Sequence, residues 1–188
     1  MKTIYLLLFT LLNTSILNAQ TNVKSYFGIQ FKNEIVVNNE NLVVNGVGLR
    51  EKYYIDLYVA ALYLPKKSND ANKIIHADEH QAVYIRLVSN AVTREKFMEN
   101  VEAAFEKASH GKWKKEDLTK FLGFFKNEFK KGDKIHLEYI PGKGLYVEQN
   151  GHLLGVINSL EFKKAMFATW IGGNPAQESL KTSLLGKH

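Results

Sequence analysis

Residues 53–64 constrain the fold of this chain more than any other stretch of its sequence. Apart from Asp56, these twelve residues are aromatic, aliphatic or alanine. This composition is typical of a β-strand with at least one buried face. Arg50 lies just before the run, and a guanidinium that stays charged needs an anionic partner in apolar surroundings. That partner is either a carboxylate of the chain itself or one that belongs to a ligand.

The order of strand and helix patterns along the chain predicts the fold class. Alternating or β-branched runs predict strands, and apolar stripes at helical spacing predict helices. The predicted strands cover residues 26–31, 35–37, 42–44, 81–88, 134–140, 145–149 and 152–157, and the predicted helices cover residues 68–76, 93–110, 118–131, 159–171 and 175–184. Since strands and helices come in separate groups, we expect an α+β fold with a mainly antiparallel sheet.

The first nineteen residues predict an exported protein. Lys2 precedes an apolar run over residues 4–12, and the small residue Ala19 suits cleavage by a signal peptidase. We therefore expect a signal peptide over residues 1–19 and a single domain over residues 20–188, located in the periplasm or secreted. The apolar run is too short to cross a bilayer, and no later run is longer, so we expect no membrane-spanning segment.

Composition excludes several kinds of site. The chain has no cysteine, which excludes disulfides, thiolate metal sites and cysteine nucleophiles. Its formal charge of +6 falls to about +5 without Lys2. The lysines are spread at helical spacing rather than gathered in a dense patch, so we expect no binding of nucleic acid.

Motifs for metals and cofactors are also missing. The glycines of residues 46–48 and 142–144 lack the rest of a phosphate-binding pattern, and we interpret them as turn glycines. His76 and His80 flank two acidic residues, but the sequence between them indicates a polar loop rather than a metal-binding helix. We therefore expect neither a metal nor a cofactor.

Three charged residues lie on otherwise apolar strands: Arg50, Asp56 and Arg86. In one interpretation Asp56 forms an internal ion pair with one of the arginines. In the other, Arg50 faces a pocket and binds an anion together with the hydroxyl of Tyr58. Eight residues of straight strand span roughly 26 Å, too far for two side chains to hold one small group. The second interpretation therefore requires the chain to turn or bulge between Glu51 and Ile55.

Four stretches of the sequence resemble the chalcone isomerase-like family, in particular its bacterial exported members. These stretches are residues 46–50 with the sequence Gly-Val-Gly-Leu-Arg, residues 58–64, the helix over residues 93–105, and residues 162–175 with Trp170-Ile171-Gly172. The resemblance implies an open-faced β-sandwich, in which a long curved antiparallel sheet has helices packed on one side. It also implies a ligand cleft between the sheet and the helices.

The resemblance further implies a set of site residues. Arg50 matches the arginine that helps hold the substrate oxyanion in the plant isomerases, and Tyr58 stands where those enzymes have a threonine. Their catalytic tyrosine and asparagine correspond to Phe97 and Ala104, which offer no hydrogen bond. The plant fatty-acid-binding relatives pair the arginine with a tyrosine around a carboxylate, as this chain does. The predicted ligand-binding residues are Arg50, Tyr58, Arg86, Phe97, Val101 and Ala104.

Three hypotheses about function follow from these residues. The first is non-catalytic binding of a fatty acid or similar amphiphilic carboxylate, that is, a small hydrophobic ligand with an anionic head. The second is an isomerase or intramolecular lyase that acts on a small hydrophobic substrate, with Arg50 and Tyr58 stabilising an enolate. The third is a partner-binding scaffold in which Arg50 and Asp56 form an internal salt bridge.

Overall fold

The computed structural model describes residues 22–107 and 112–187, so the predicted signal peptide lies outside the described residues. The strands are β1 (Val23–Tyr26), β2 (Ile29–Lys32), β3 (Glu34–Val37), β4 (Glu40–Lys52), β5 (Ile55–Leu64), β6 (Gln81–Leu87), β7 (Lys134–Ile140), β8 (Gly144–Gln149) and β9 (His152–Ile157), and the helices are α1 (Ala71–His76), α2 (Arg94–Lys107), α3 (Lys115–Phe124), α4 (Leu160–Ile171) and α5 (Glu178–Leu184). Strands β3 to β9 form an antiparallel sheet in chain order, and β1 pairs with β2 in a separate hairpin. The predicted α+β fold with a mainly antiparallel sheet is confirmed.

The two faces of the large sheet carry two separate apolar cores. On β6, Val83, Ile85 and Leu87 belong to the larger core, which the helices cover. Ala82 points to the other face, where a smaller core includes Phe31 of β2. This alternation is the strand period of two residues, with both faces apolar enough to be covered. The helices therefore lie on one side of the sheet, as expected.

The two longest strands, β4 and β5, form one hairpin closed by the two-residue turn Tyr53-Tyr54. Both turn residues adopt the left-handed conformation, with φ of 52° and 63°. Arg50 pairs directly with Tyr58 across the hairpin. The predicted turn between Glu51 and Ile55 is therefore present, and it removes the distance that a straight strand would put between the two side chains.

Gly46 and Gly48 lie in the middle of β4, so the interpretation of them as turn glycines was wrong. A Cβ on Gly46 would overlap the backbone carbonyl of Ser183, and one on Gly48 would lie 2.8 Å from the side chain of Leu180. Both glycines therefore allow α5 to pack closely against the strand. This close packing also places the residue before α5 beside Arg50.

Every predicted element is present, but several boundaries differ: β4 extends to residues 40–52 from the predicted 42–44, and α1 begins at Ala71 rather than at residue 68. The predicted strand over residues 26–31 is a hairpin, because Phe27 and Gly28 form a turn with positive φ. Helix α3 ends at Phe124, although Phe129 beyond it is still buried in the core. Helix α5 begins at Glu178 after the N-cap Gln177 rather than at Pro175. In residues 26–31 and in α3 the apolar pattern continues past the point where the backbone changes conformation, whereas the predicted start of α5 rested on Pro175.

Candidate functional site

A cleft of about 590 Å³ lies between α2 and the helix-covered face of the sheet. Its walls come from β5, β6, β7, α2 and α4, and the segment 174–176 before α5 closes one side. The volume is within the range of about 300–1,000 Å³ that is typical of small-molecule sites. Of the six predicted ligand-binding residues, five line this cleft: Arg50, Tyr58, Phe97, Val101 and Ala104.

Arg50 lies near the end of β4, at the end of the cleft closest to the Tyr53-Tyr54 turn. Its Nη1 donates to the Gln177 Oε1 at 3.0 Å and also to the Glu51 carbonyl. The same Gln177 oxygen accepts from the Glu51 backbone N–H at 2.9 Å, which fixes the guanidinium against the N-cap of α5. Within residues 22–107 and 112–187, Nε and Nη2 of Arg50 have no hydrogen-bond acceptor, so these donors remain for a ligand.

Tyr58 stands opposite Arg50 on β5, and its hydroxyl is already oriented by the protein. The Trp170 Nε1–H of α4 donates to this hydroxyl oxygen at 3.0 Å. Burial raises the pKa of Tyr58, although the Trp170 hydrogen bond and the Arg50 charge oppose the shift. The phenol therefore keeps its proton at neutral pH. Since no described residue accepts that proton, it can be donated to a ligand.

The rim of the cleft is predominantly cationic. Three exposed lysines, Lys52, Lys96 and Lys107, line it together with Arg50, whereas Glu99 is the acidic residue among its lining residues. Opposite charge attracts a ligand head group over about a Debye length and resists its release. The charge distribution therefore suits an anionic group at the opening.

The interior of the cleft is apolar. The Phe97 ring packs edge-on against the rings of Phe125 and Phe129, with centroids 5.0 Å away in each case. Val101 and Ala104 follow one and two turns later on the same face of α2 and also line the cleft. These side chains have no hydrogen-bonding groups, so this part of the cleft suits a hydrocarbon chain.

Arg86 lies outside the cleft, contrary to the predicted site. It alternates with the cleft-lining Ile85 and Leu87 on β6, so it points to the opposite face, where its Nη1 donates to the Gly132 carbonyl at 3.1 Å. The internal ion pair is wrong as well. Asp56 is exposed, and among the described residues neither Arg50 nor Arg86 lies within 4.0 Å of its carboxylate as an ion pair.

Sequence reasoning missed two residues that position the site, Trp170 and Gln177. The sequence indicates Trp170 as a buried helix residue in a stretch that resembles the family, and Gln177 as a residue of the predicted helix over residues 175–184, without assigning either to the site. Both reach Arg50 or Tyr58 across more than 100 residues of chain. Tertiary structure brings them to the site, since no local pattern connects either residue with Arg50 or Tyr58.

The histidines of the predicted polar loop do not form a metal centre. His80 Nδ1 pairs with the Glu40 carboxylate at 2.7 Å, and His76 Nδ1 is within 2.8 Å of the Asn72 carbonyl. Across the described residues, no three His, Asp or Glu side chains are grouped to hold a metal ion. In the same part of the chain, every helix is too short or too polar to cross a membrane.

Comparison with known proteins identifies the family and the fold of this chain. The sequence profile of a family described as chalcone isomerase-like matches residues 23–186. The crystal structure of a fatty-acid binding protein from Arabidopsis thaliana superposes with a TM-score of 0.68 and 22% sequence identity, and covers 84% of this chain and 92% of the plant protein. A search of curated proteins finds no match to this sequence.

Proposed function

This chain belongs to the chalcone isomerase-like family, and we propose that it binds a fatty acid or a similar amphiphilic carboxylate without catalysing a reaction. One observation carries the proposal: Arg50 and Tyr58 face each other at one end of an apolar cleft, with donors that no described residue occupies. The plant protein of similar fold is itself a fatty-acid binding protein.

The donor geometry suits a carboxylate head. Gln177 and Glu51 occupy Nη1 of Arg50, which leaves the Nε and Nη2 edge of the guanidinium for the two oxygens of a carboxylate. The Tyr58 hydroxyl then supplies a third hydrogen bond. Charge-assisted hydrogen bonds of this kind are roughly twice as strong as neutral ones, and a desolvated cleft weakens them less than water does.

The same residues favour binding over catalysis. A general base must lose its proton near the working pH, but burial raises the pKa of Tyr58. Phe97 and Ala104 line the cleft where the plant isomerases are expected to have hydrogen-bonding side chains, and neither can transfer a proton. Arg50 and Tyr58 can therefore hold an anion, but they supply no base to form one from a neutral substrate.

The test compares a fatty acid with the alcohol of the same chain length. We expect the wild-type protein to bind the acid at least about tenfold more tightly, because only the carboxylate forms charge-assisted hydrogen bonds. Arg50→Ala should remove this preference and leave the affinity for the alcohol nearly unchanged. Arg86→Ala is the matched control, since it removes an arginine from the other face of the sheet and should keep the preference.

Mass spectrometry of the lipids that co-purify with each variant gives an independent measurement. We expect carboxylates in the wild type and in Arg86→Ala, and their loss in Arg50→Ala. Equal lipid profiles in all three proteins would contradict the proposal that Arg50 binds the carboxylate. The exported location that residues 1–19 predict is also part of the proposal, and cleavage after Ala19 in the protein recovered from its host would test it.

A further inference from the structure

The tip of the β4–β5 hairpin exposes a group of apolar side chains at the rim of the cleft. Tyr53 is 83% exposed, Tyr54 is fully exposed, and Ile55 is 47% exposed. Tyr53 and Ile55 also line the cleft, as does the neighbouring Lys52. We call residues 52–55 the aromatic tip. These side chains are therefore exposed to solvent beside the cleft.

The backbone of the aromatic tip is unusual for the residues it holds. Four two-residue turns join neighbouring strands in the described part of the chain, and all eight turn residues have positive φ. The other three turns are Phe27-Gly28, Asn38-Asn39 and Asn150-Gly151, and each contains asparagine or glycine, which tolerate this conformation. Only Tyr53-Tyr54 uses two bulky residues, which adopt it at a steric cost. Closing the hairpin therefore does not explain the tyrosines.

Tyrosine is suited to the boundary between lipid and water, because its ring is apolar and its hydroxyl is polar. Lys52 belongs to the tip, and Lys96 in the first turn of α2 is a second exposed lysine that lines the same cleft, so both could face phosphate groups at an anionic surface. The acidic residues nearby are Glu51 and Asp56 beside the tip and Glu99 on α2. An anionic bilayer surface has an apolar layer that suits exposed rings and charged head groups that suit the neighbouring lysines. A uniformly apolar partner would match only the rings.

We propose that the aromatic tip docks the opening of the cleft onto an anionic lipid bilayer. The choice of a bilayer over a protein partner rests on the proposed function, because long-chain carboxylates partition into membranes rather than into water. Docking at the rim would let an acyl chain pass between bilayer and cleft without crossing the solvent. Tyr54, which does not line the cleft, contributes to docking but not to holding the ligand.

The experiment measures flotation of the purified protein with vesicles, in the absence of added fatty acid. Vesicles of phosphatidylglycerol mixed with phosphatidylcholine are compared with vesicles of phosphatidylcholine alone. We expect the wild type to float with the anionic vesicles and to dissociate as salt is added. Tyr54→Gly should reduce vesicle affinity at least about tenfold, and Lys52→Gln should reduce binding to the anionic vesicles. Residues 1–19 are treated identically in every protein, so they cannot produce these differences.

Two controls separate docking from folding and from ligand binding. Tyr54→Gly should not lower the thermal midpoint, because glycine favours the positive φ of this position. It should also keep the wild-type affinity for a fatty acid in solution. Leu153→Ser removes an apolar side chain that is 56% exposed on β9, outside the cleft lining, and should leave vesicle binding unchanged.

Each outcome decides between the proposals. Absence of wild-type binding to anionic vesicles, or equal binding by Tyr54→Gly, would overturn the docking surface while fatty-acid binding in solution could still stand. Equal binding to both kinds of vesicle would overturn the requirement for anionic lipid. Vesicle binding that depends on Tyr54 in a protein that binds no fatty acid would instead overturn the proposed function and keep the docking surface.

Discussion

The hydroxyl of Tyr58 has two partners in this interpretation, and Tyr58→Phe should reveal both. In the protein without ligand, the hydroxyl oxygen accepts the hydrogen bond from Trp170 Nε1 at 3.0 Å. In the complex, the hydroxyl is expected to donate a hydrogen bond to a ligand carboxylate beside Arg50. Phenylalanine keeps the ring and its packing, so the substitution removes the oxygen with little other change.

The two effects can be estimated separately. A hydrogen bond to a charged acceptor contributes about 1.5–3 kcal/mol, so the affinity for a fatty acid should fall by about 10- to 150-fold. Trp170 is only 8% exposed, and its indole N–H would lose its acceptor in Tyr58→Phe. An unsatisfied buried donor costs about 1–3 kcal/mol, so the free energy of unfolding should fall by a similar amount.

Calorimetric titration with a fatty acid measures the first effect, and urea denaturation without ligand measures the second. Trp170→Phe is the matched variant, because it removes the indole donor and leaves the Tyr58 hydroxyl in place. In Tyr58→Phe combined with Trp170→Phe, the penalty for the unpaired donor should disappear, while the loss of affinity should remain. The reasoning is refuted if Tyr58→Phe loses stability as estimated but changes affinity by less than about threefold. Tyr58 would then be a structural partner of Trp170 only.

Three further predictions concern the cleft wall, the core and the outer face of the sheet. Ala104→Phe should fill part of the apolar end and lower the affinity for long-chain acids at least about tenfold while sparing short ones, as a titration series of chain lengths would show. The buried Lys163 Nζ donates to three backbone carbonyls at the end of α1, at 2.9–3.1 Å. Lys163→Met should therefore lower the free energy of unfolding in urea by about 2–4 kcal/mol. The control Lys164→Met should lower it by less than about 1 kcal/mol. Burial, with the charges of Arg86 and Lys134, lowers the pKa of His136 from 6.5 to about 4. The unfolded chain therefore binds this proton more readily, and wild-type stability should fall as the pH drops from 6.5 to 4. His136→Gln should remove that part of the pH dependence of the thermal midpoint, and an unchanged pH dependence would contradict the role given to His136.

The sequence predicts the fold well because the fold depends on local periods. Each strand of the sheet pairs with the next one along the chain, so alternating runs separated by turns already indicate the meander. Local signals also mark the starts of two helices: either Ser68 or Asp70 could cap α1, and Asp70 does so by accepting from the Lys73 N–H, while Ser159 accepts from the Phe162 N–H at the start of α4. Helix α5 was harder, because the sequence shows Pro175 as a helix start and does not show which strand the helix covers.

The site is only partly predictable, because it depends on long-range packing as well as on local patterns. Arg50 and Tyr58 lie close in sequence, so arithmetic on strand length is enough to require the turn between them. Gln177 and Trp170 come from the other end of the chain, and their hydrogen bonds depend on how α4 and α5 pack. The packing of α5 depends on Gly46 and Gly48, because a side chain at either position would collide with the helix. A missing side chain gives no periodic signal in a sequence.

Pairing between β4 and β5 explains how one hairpin can bring Arg50 and Tyr58 to the same face. Near the turn, Glu51 pairs with Asp56, and a regular ladder would continue with Arg50 opposite Leu57. Tyr58 would then stand opposite Leu49, on the other face of the sheet. Instead the register shifts by one residue between Arg50 and Glu51, so that Leu57 is extra and Tyr58 faces Arg50.

A second irregularity, between Val44 and Gly46, restores the original register, so the offset is confined to the part of the hairpin that carries the site. Asn45 is the extra residue there, and its side chain is buried against the backbone of Ser68 and Leu184, which anchors the bulge. Bulges are common beside functional sites because they redirect individual side chains. Here the paired bulges turn Arg50 and Tyr58 toward the cleft while the rest of the ladder keeps its apolar residues in the two cores. The register of the hairpin therefore supports an anion site at this position more specifically than the apolar cleft alone would.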